Sequence, residues 1–416
     1  MNPRGYSFMT LGHMTAEESS DLRAAVSKSS LKRGQSQYRD LGVDVKKEGI
    51  DVFKGVIDDL HPGAFCVITK DPGNPGIGLV THTDSAGSKP IVGYLCWRET
   101  GNPVWFEGLA QDAIAMNVDD LLCVAAEPIT FVDYVAYNTI LIDRVQLLSA
   151  LARGFTYCFE VMAGQGMRVL FGGGETADLP DQMRTLDVNG AVFGRVDLDK
   201  VITGDRIRPG DIIVGLRSGG DVDYERETNS GIMCNGVTLA RNCLLKHEYL
   251  ERYPELAHPE EGRFTGRYSY DDHSDDLGMS IGEALLSPTR IFAPIAAEVL
   301  EEVGADIHGM VHNTGGGQTK CLRLGKGVKY VKDSLPEPDP IFRLIQREGN
   351  VTWKEMYEDF NMGVGFEFIV APEAADEVLR VAEGYGIGVQ VVGRCKEGDE
   401  KNGLVVESSR GRFLYS

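Results

Sequence analysis

Among the chain's 416 residues no run approaches the roughly 20 apolar residues a membrane-spanning helix needs. Its first 37 residues are polar and Ser-rich, without the apolar centre of a secretory leader. The expectation is a soluble, cytoplasmic protein. Base is scarce: 42 Lys and Arg face 62 Asp and Glu, a formal charge of −20. A broad phosphate-neutralising face for nucleic acid therefore lacks its material. A small phosphorylated ligand stays open where a divalent cation screens it. None of the eight cysteines forms a C-x-x-C pair, which argues against a zinc or thioredoxin-like site. Most of them sit in apolar runs and read as small buried hydrophobes of a reduced protein. Also missing are the G-x-x-x-x-G-K-[ST] loop, the G-x-S-x-G elbow and the protein-kinase signature set. No internal repeat is visible, so solenoids and propellers are excluded.

Glycine is what the chain has in excess, with 50 residues where composition alone gives about 7%. The glycines gather in short clusters, Gly172 to Gly174 and Gly315 to Gly317, as tight turns near a ligand require. Strand-like runs alternate with helical ones from Phe65 onward. Strands are expected at 65–69, 77–81, 131–137, 167–171 and 188–196, with helices at 105–125 and 143–163. A polar stretch at 201–210 precedes a new strand at 211–216. Helices follow near 236–246 and 288–303, and a strand–helix–strand unit closes the chain over 365–393. The fold class is mixed α/β (α+β), in three parts: an arm at 1–37 with a short helix at 16–26, an N-terminal domain at 38–200 and a C-terminal domain at 201–416. The charged stretch 248–277 reads as a surface insertion.

Four segments have the residue types phosphate chemistry uses. Thr83 to Lys89 puts Asp84, a flexible turn and Lys89 just past a strand. That combination suits a cation, phosphate oxygens and an ammonium, and equally describes a surface turn. Asp112, Asp119 and Asp120 interrupt an apolar helical stretch. Asp112 and Asp119, seven apart, share a face. Such acids are costly unless paired or metal-bound, or else they mark a solvated face. Gly172 to Pro180 places glycines and Glu175 after a strand, and Val311 to Lys320 does the same with His312 and a glycine triplet.

In this order the segments resemble the aminoimidazole ribonucleotide synthetase family, the phosphoribosylformylglycinamidine cyclo-ligases. Tyr38 to Asp44 matches that family's Y-x-D-x-G-V-D, and Lys54-Gly55-Val56 its K-G-V. Thr83 to Lys89 is similar to T-D-G-V-G-T-K, Asp119 to Pro128 to N-D-x4-G-A-E-P, and Gly173 to Pro180 to G-G-E-T-A-x-x-P. Leu285 to Ile291, His312 to Gly317 and Met356 to Gly365 complete eight matches in order, spanning Tyr38 to Cys395.

The resemblance implies an N-terminal sheet domain that pairs into a barrel across a homodimer, followed by a C-terminal α/β domain. It implies ATP and Mg²⁺ as cofactors and ATP-dependent closure of formylglycinamidine ribonucleotide to 5-aminoimidazole ribonucleotide through phosphorylation of the formyl oxygen. It also implies roles for residues. Asp84, Asp120 and Glu175 would hold the metal, and Lys54, Asp84, Lys89, Asp120 and Glu127 would bind ATP. Gly173, Gly174, Asn235, Thr314, Gly315 and Gly316 would bind substrate, with Lys54, Asp112 and His312 as catalytic groups. The chain departs from the pattern at Ser85, at Ala125-Ala126 and at Ile232-Met233-Cys234, where the family has P-H-S. Glu225 or Arg226, in an inserted stretch at 221–229, is a candidate replacement for that missing histidine. Alternatives on the same scaffold are a selenophosphate synthetase, disfavoured because no Cys precedes Cys66, a thiamine monophosphate kinase, and an idle nucleotide-binding homologue.

Overall fold

Residues 186–197 bury every second side chain, Val188, Val192 and Val196 among them, which is the signature of a strand with one covered face. In the computed structural model, which describes residues 36–43, 50–258 and 263–416, this strand is the centre of an N-terminal sheet. The sheet is built from β1 (Ile68–Lys70), β2 (Ile77–Ser85), β3 (Glu127–Tyr137), β4 (Leu170–Asp178) and β5 (Leu186–Asp197). Its order is β1-β2-β5-β3-β4. Only β3 and β4 run parallel, and the connection between them is the long helix α3 (Arg144–Gly164), capped by Asp143, whose side chain accepts from Gln146 N. Helices α1 (Lys89–Thr100) and α2 (Glu107–Leu122) complete the domain, α2 lying across β2, β5 and β3.

The second sheet starts after the connection at 198–211. It comprises β6 (Ile212–Arg217), β7 (Ile307–His312), β8 (Val328–Lys332), β9 (Val364–Val370), β10 (Val389–Glu397), β11 (Gly403–Ser408) and β12 (Gly411–Tyr415). The order is β7-β9-β6-β10-β8-β11-β12, antiparallel except between β8 and β11. Strand β9 is buried at all seven positions, as a central strand covered on both faces must be. Around this sheet lie α4 (Val237–Leu244), α5 (Ala293–Val303), α6 (Trp353–Asp359) and α7 (Ala375–Glu383). Helix α2 packs on α5 and β7 as well as on its own sheet, so it is buried on every side and joins the two halves.

Two sequence expectations change. The strand expected at 167–171 is instead β4, running from Leu170 to Asp178, so the glycine triplet lies inside a strand rather than in a turn beyond it. A Cβ on Gly174 would sit 2.2 Å from Asp133 O, at the point where the β3–β4 register shifts. Glycine is there to permit a close strand approach. The 248–277 stretch is no simple surface insertion, because it buries Tyr249, Leu256 and Phe264 and joins Tyr94 to Glu255 at 2.5 Å. The expected arm at 1–37 lies outside the described residues except for its end, where Gln37–Asp40 forms a helical turn capped by Ser36. Its helix at 16–26 lies wholly outside them, as does Asp44 of the entry motif.

Candidate functional site

Helix α2 answers the question its acids raise. Asp112, Asp119 and Asp120 are 0%, 0% and 4% exposed, so no solvated face exists and each acid needs an internal partner. Asp112 and Asp119 do share a face, toward the C-terminal half. Asp119 Oδ1 accepts from Ala293 N at 2.7 Å, placing a carboxyl at the positive end of α5. Burial pushes the Asp119 carboxyl well up, and its Oδ2 has no hydrogen-bond partner.

Asp120 is the centre of a polar cluster. Alternation along β2 directs His82 and Asp84 to the same face as Val80, toward α2. Asn117, one turn before Asp120, donates to Asp84 O at 3.1 Å and to Ala113 O at 2.8 Å, which leaves its Oδ1 to accept from His82 Nδ1 at 3.2 Å. His82 Nε2 lies 3.4 Å from Asp120 Oδ2. From the C-terminal half, His312 at the end of β7 donates from Nδ1 to Asp120 Oδ1 at 2.7 Å, and Lys320 Nζ stands 4.0 Å from Oδ2. Burial opposes the Asp120 charge, but Lys320, the His312 hydrogen bond and His82 together hold its carboxyl below the usual carboxylate range. Asp84 goes the other way: burial and the Asp120 charge push it up, against a 2.8 Å hydrogen bond from Ser85 N. A charged carboxylate beside a second one that gives up its proton reluctantly is a site short of positive charge.

The cluster lies at the seam between the halves. A Cβ on Gly87, after β2, would lie 3.1 Å from Cys234 O, and Thr238 Oγ1 donates to Ser88 Oγ at 2.9 Å. A Cβ on Gly315 would lie 3.2 Å from Asn235 Oδ1, while Asn235 Nδ2 is buried without a partner. Thr314 Oγ1 accepts from Lys320 Nζ at 2.5 Å. Asp84, Asp120, Asn235, Thr314, Gly315 and Gly316 thus border one region. His82, Asn117 and Lys320 join them although no motif had marked a role for them. Their signal was spacing: His82 two before Asp84 on a strand, Asn117 three before Asp120 on a helix.

Other expected residues are elsewhere. Lys89 is fully buried, its Nζ donating to Asp112 Oδ1 at 2.8 Å and to Ser287 O at 2.5 Å, so it faces the core and not the Asp84–Asp120 cluster. Asp112 Oδ1 also receives Thr289 N, Thr289 Oγ1 and Cys234 Sγ, at 2.7, 2.8 and 3.1 Å. Asp112 is thus anchored in the core through Oδ1, while its Oδ2 is buried without a partner. His312 is fully buried behind Asp120, between the rings of Phe292 and Phe366, and burial keeps its pKa low. As a neutral ring with its proton on Nδ1 it orients Asp120 rather than carrying protons to a ligand.

Glu175 pairs with Tyr134, Tyr134 with Asn189 and Asn189 with Ser85. It is exposed on the edge strand, three strand spacings or about 14 Å from Ser85 on β2. Within one chain it does not join Asp84 and Asp120, and Gly173 and Gly174 share its place on β4. Glu127 is exposed in the Arg195–Leu79 row, five residues or about 17 Å from that of Asp84. Lys54 belongs to the 3₁₀ turn Ile50–Gly55, and its side chain lies outside those described. Of the inserted candidates, Glu225 turns inward to Arg290, 3.1 Å from Nε, and Arg226 lies 4.1 Å over the Tyr157 ring. Neither enters the cluster.

Known proteins match along both halves. Residues 64–196 match the AIR synthase related protein, N-terminal domain, and 208–406 match the AIR synthase related protein, C-terminal domain. A phosphoribosylformylglycinamidine cyclo-ligase of Methanocaldococcus jannaschii is 35% identical over 374 residues, covering 88% of this chain and 94% of its own. One of Methanothermobacter thermautotrophicus is 35% identical over 351 residues, covering 83% and 90%. Among solved structures, AaThiL complexed with AMPPCP and TMP aligns with a TM-score of 0.52 at 13% identity, over 88% of this chain and 96% of its own, a likeness of fold alone.

Proposed function

The chain belongs to the AIR synthase related family, and from that premise we propose that it is an ATP-dependent cyclo-ligase of purine biosynthesis. It closes formylglycinamidine ribonucleotide to 5-aminoimidazole ribonucleotide. The γ-phosphoryl of ATP passes to the formyl oxygen, the amidine nitrogen attacks the same carbon, and phosphate leaves as the ring forms. Such chemistry asks a protein for position and charge neutralisation rather than for a covalent nucleophile.

The convergence of Asp84 on β2 and Asp120 on α2 with Thr314 and Asn235 across the seam carries the reading. Two acids deficient in positive charge suit Mg²⁺, which is bound through one or two carboxylates completed by substrate phosphates. Among the described residues no group of three or more His, Cys, Asp or Glu is placed to hold a metal ion. Bound there, the ion would neutralise triphosphate charge. Asp84 and Asp120 would hold it, His312 and His82 would fix the Asp120 carboxylate, and Asn235 with the Thr314–Gly316 turn would take the ribonucleotide. The buried, unpartnered Asn235 Nδ2 is a donor in want of an acceptor.

The chain acts as a homodimer in this reading, its N-terminal sheet covered by that of a second copy. The test is substrate dependence. Purified protein is expected to release ADP only with formylglycinamidine ribonucleotide, and Asp120→Asn is expected to abolish that release while retaining the wild-type circular dichroism. ADP release without the ribonucleotide, or in response to selenide or thiamine monophosphate, would overturn the assignment.

A further inference from the structure

Lys89, the lysine its motif marks for phosphate, is locked in the core, so the cluster must draw its ammonium from another part of the chain. We propose that Lys320 is that group, a catalytic residue that meets the oxygens of the phosphoryl group in transit. The inference rests on the ring-closing reading above.

An ammonium has three N–H donors and no acceptor. Lys320 spends one on Thr314 Oγ1 at 2.5 Å. Asp120 Oδ2, at 4.0 Å, is within ion-pair reach but too far for a hydrogen bond. The Phe65 ring lies 4.9 Å from Nζ and steadies the charge through its face. Two N–H groups are left without an acceptor among the described residues, on a side chain only 10% exposed. Asp120 takes its hydrogen bond from His312 at 2.7 Å, with His82 at 3.4 Å, so Lys320 acts on it through charge alone. At that distance Lys320 balances Asp120 without spending an N–H on it.

Its backbone is held accordingly. Lys320 is on the 3₁₀ turn Gly317–Arg323, entered through Gly316 at φ 97° and Gly317 at φ 46°, where side chains are rarely tolerated. Gln318 of that turn is bolted from below: Lys332 Nζ donates to its backbone O at 3.0 Å and its Oε1 at 2.9 Å, and is itself paired with Glu367 Oε1 at 2.6 Å. Gln318 Nε2 donates to Asn361 O at 2.5 Å. A turn fixed on both sides aims its lysine at one place, as preorganised charge stabilisation requires.

The test compares wild type with Lys320→Met and Lys320→Arg. Calorimetry of ATP binding in EDTA isolates the nucleotide from any metal. Lys320→Met is expected to weaken that binding at least roughly tenfold, about 1.4 kcal/mol, and to lower kcat further, while the melting temperature holds and the KM for formylglycinamidine ribonucleotide changes by less than the ATP affinity. Lys320→Arg, which keeps the charge, is expected to recover the EDTA binding in part. A raised KM for the ribonucleotide with ATP binding intact would overturn the proposal by placing Lys320 on the substrate's own phosphate. A fall in melting temperature with unchanged binding and kcat would overturn it in favour of a structural counter-ion. Wild type that binds no ATP in EDTA or with Mg²⁺ added would instead sink the reading beneath it.

Discussion

Asp359 ends α6 with its carboxyl 3% exposed and its Oδ2 without a partner. Burial, helped by Glu355 and Glu358 on the same helix, pushes it from 3.8 to about 8. Tyr38 faces it from the N-terminal turn and is itself pushed up to about 12, first by burial. Because the folded state binds this proton more tightly than the unfolded one, the contribution to stability is complete below about pH 4 and is lost as pH rises through about 8. Asp359→Asn removes the dependence. The variant's melting temperature is expected to exceed that of wild type by a margin that grows from pH 5 to pH 9, to a few degrees. Parallel melting curves across that range would show the carboxyl to be solvated. A single residue's environment is what the sequence hides most. Asp84 and Asp120 were legible because acids in apolar surroundings demand partners. Lys89 and Lys320 were not, since both follow a turn by a few residues and nothing in their neighbours says which ammonium faces inward. His82 and Asn117 were readable only through their spacing from acids already chosen.

Among the elements, α2 does the most, carrying Asp112 toward the C-terminal half and Asp120 toward the site. Its tether is the buried Lys89–Asp112 pair, with Ser287, Thr289 and Cys234 gathered on the same two groups. Lys89→Met leaves the Asp112 carboxylate buried without its counter-charge, a loss of about 3–5 kcal/mol in comparable pairs. The expected outcome is a large drop in denaturation midpoint with an unchanged KM for ATP in whatever remains folded. Adding Asp112→Asn, which removes the stranded charge and keeps an acceptor for Thr289, recovers part of the loss. A raised KM for ATP at unchanged stability would return Lys89 to the nucleotide. Helices and strands with long clear periods, such as α2, α3, β5 and the closing β9–α7–β10 unit, were legible to within a few residues. Strand β4 was not, because Gly172 to Gly174 read as a loop. The glycines answer a constraint between strands, the closeness of Gly174 to Asp133, that no local pattern expresses.

At the scale of the molecule, one protomer leaves a sheet half covered. Helices α2 and α3 cover the face of the N-terminal sheet on which Phe131, Val135 and Val192 are buried. On the other, Val132 and Tyr134 of β3 are 38% and 42% exposed, and Leu170, in register with Thr130, is 50% exposed on β4. An apolar sheet face without a second layer is the surface a partner is expected to bury. Two chains that each carry −20 repel, so their union must come from this face and not from charge. Salt, by screening the repulsion, is then expected to tighten the dimer, whereas an assembly held by ion pairs would loosen. Light scattering of wild type should give twice the mass of one chain at micromolar concentration. Val132→Asp together with Tyr134→Asp, which sets four like charges across a two-fold contact, should give one chain's mass with the C-terminal fold intact. A wild-type chain that stays single at all salt concentrations would leave the open face unexplained and remove the dimer from the reading. It would also strand Glu175, Gly173 and Gly174, which in one protomer lie on the edge strand apart from Asp84 and Asp120 and reach a nucleotide only if a second chain brings its own across that face.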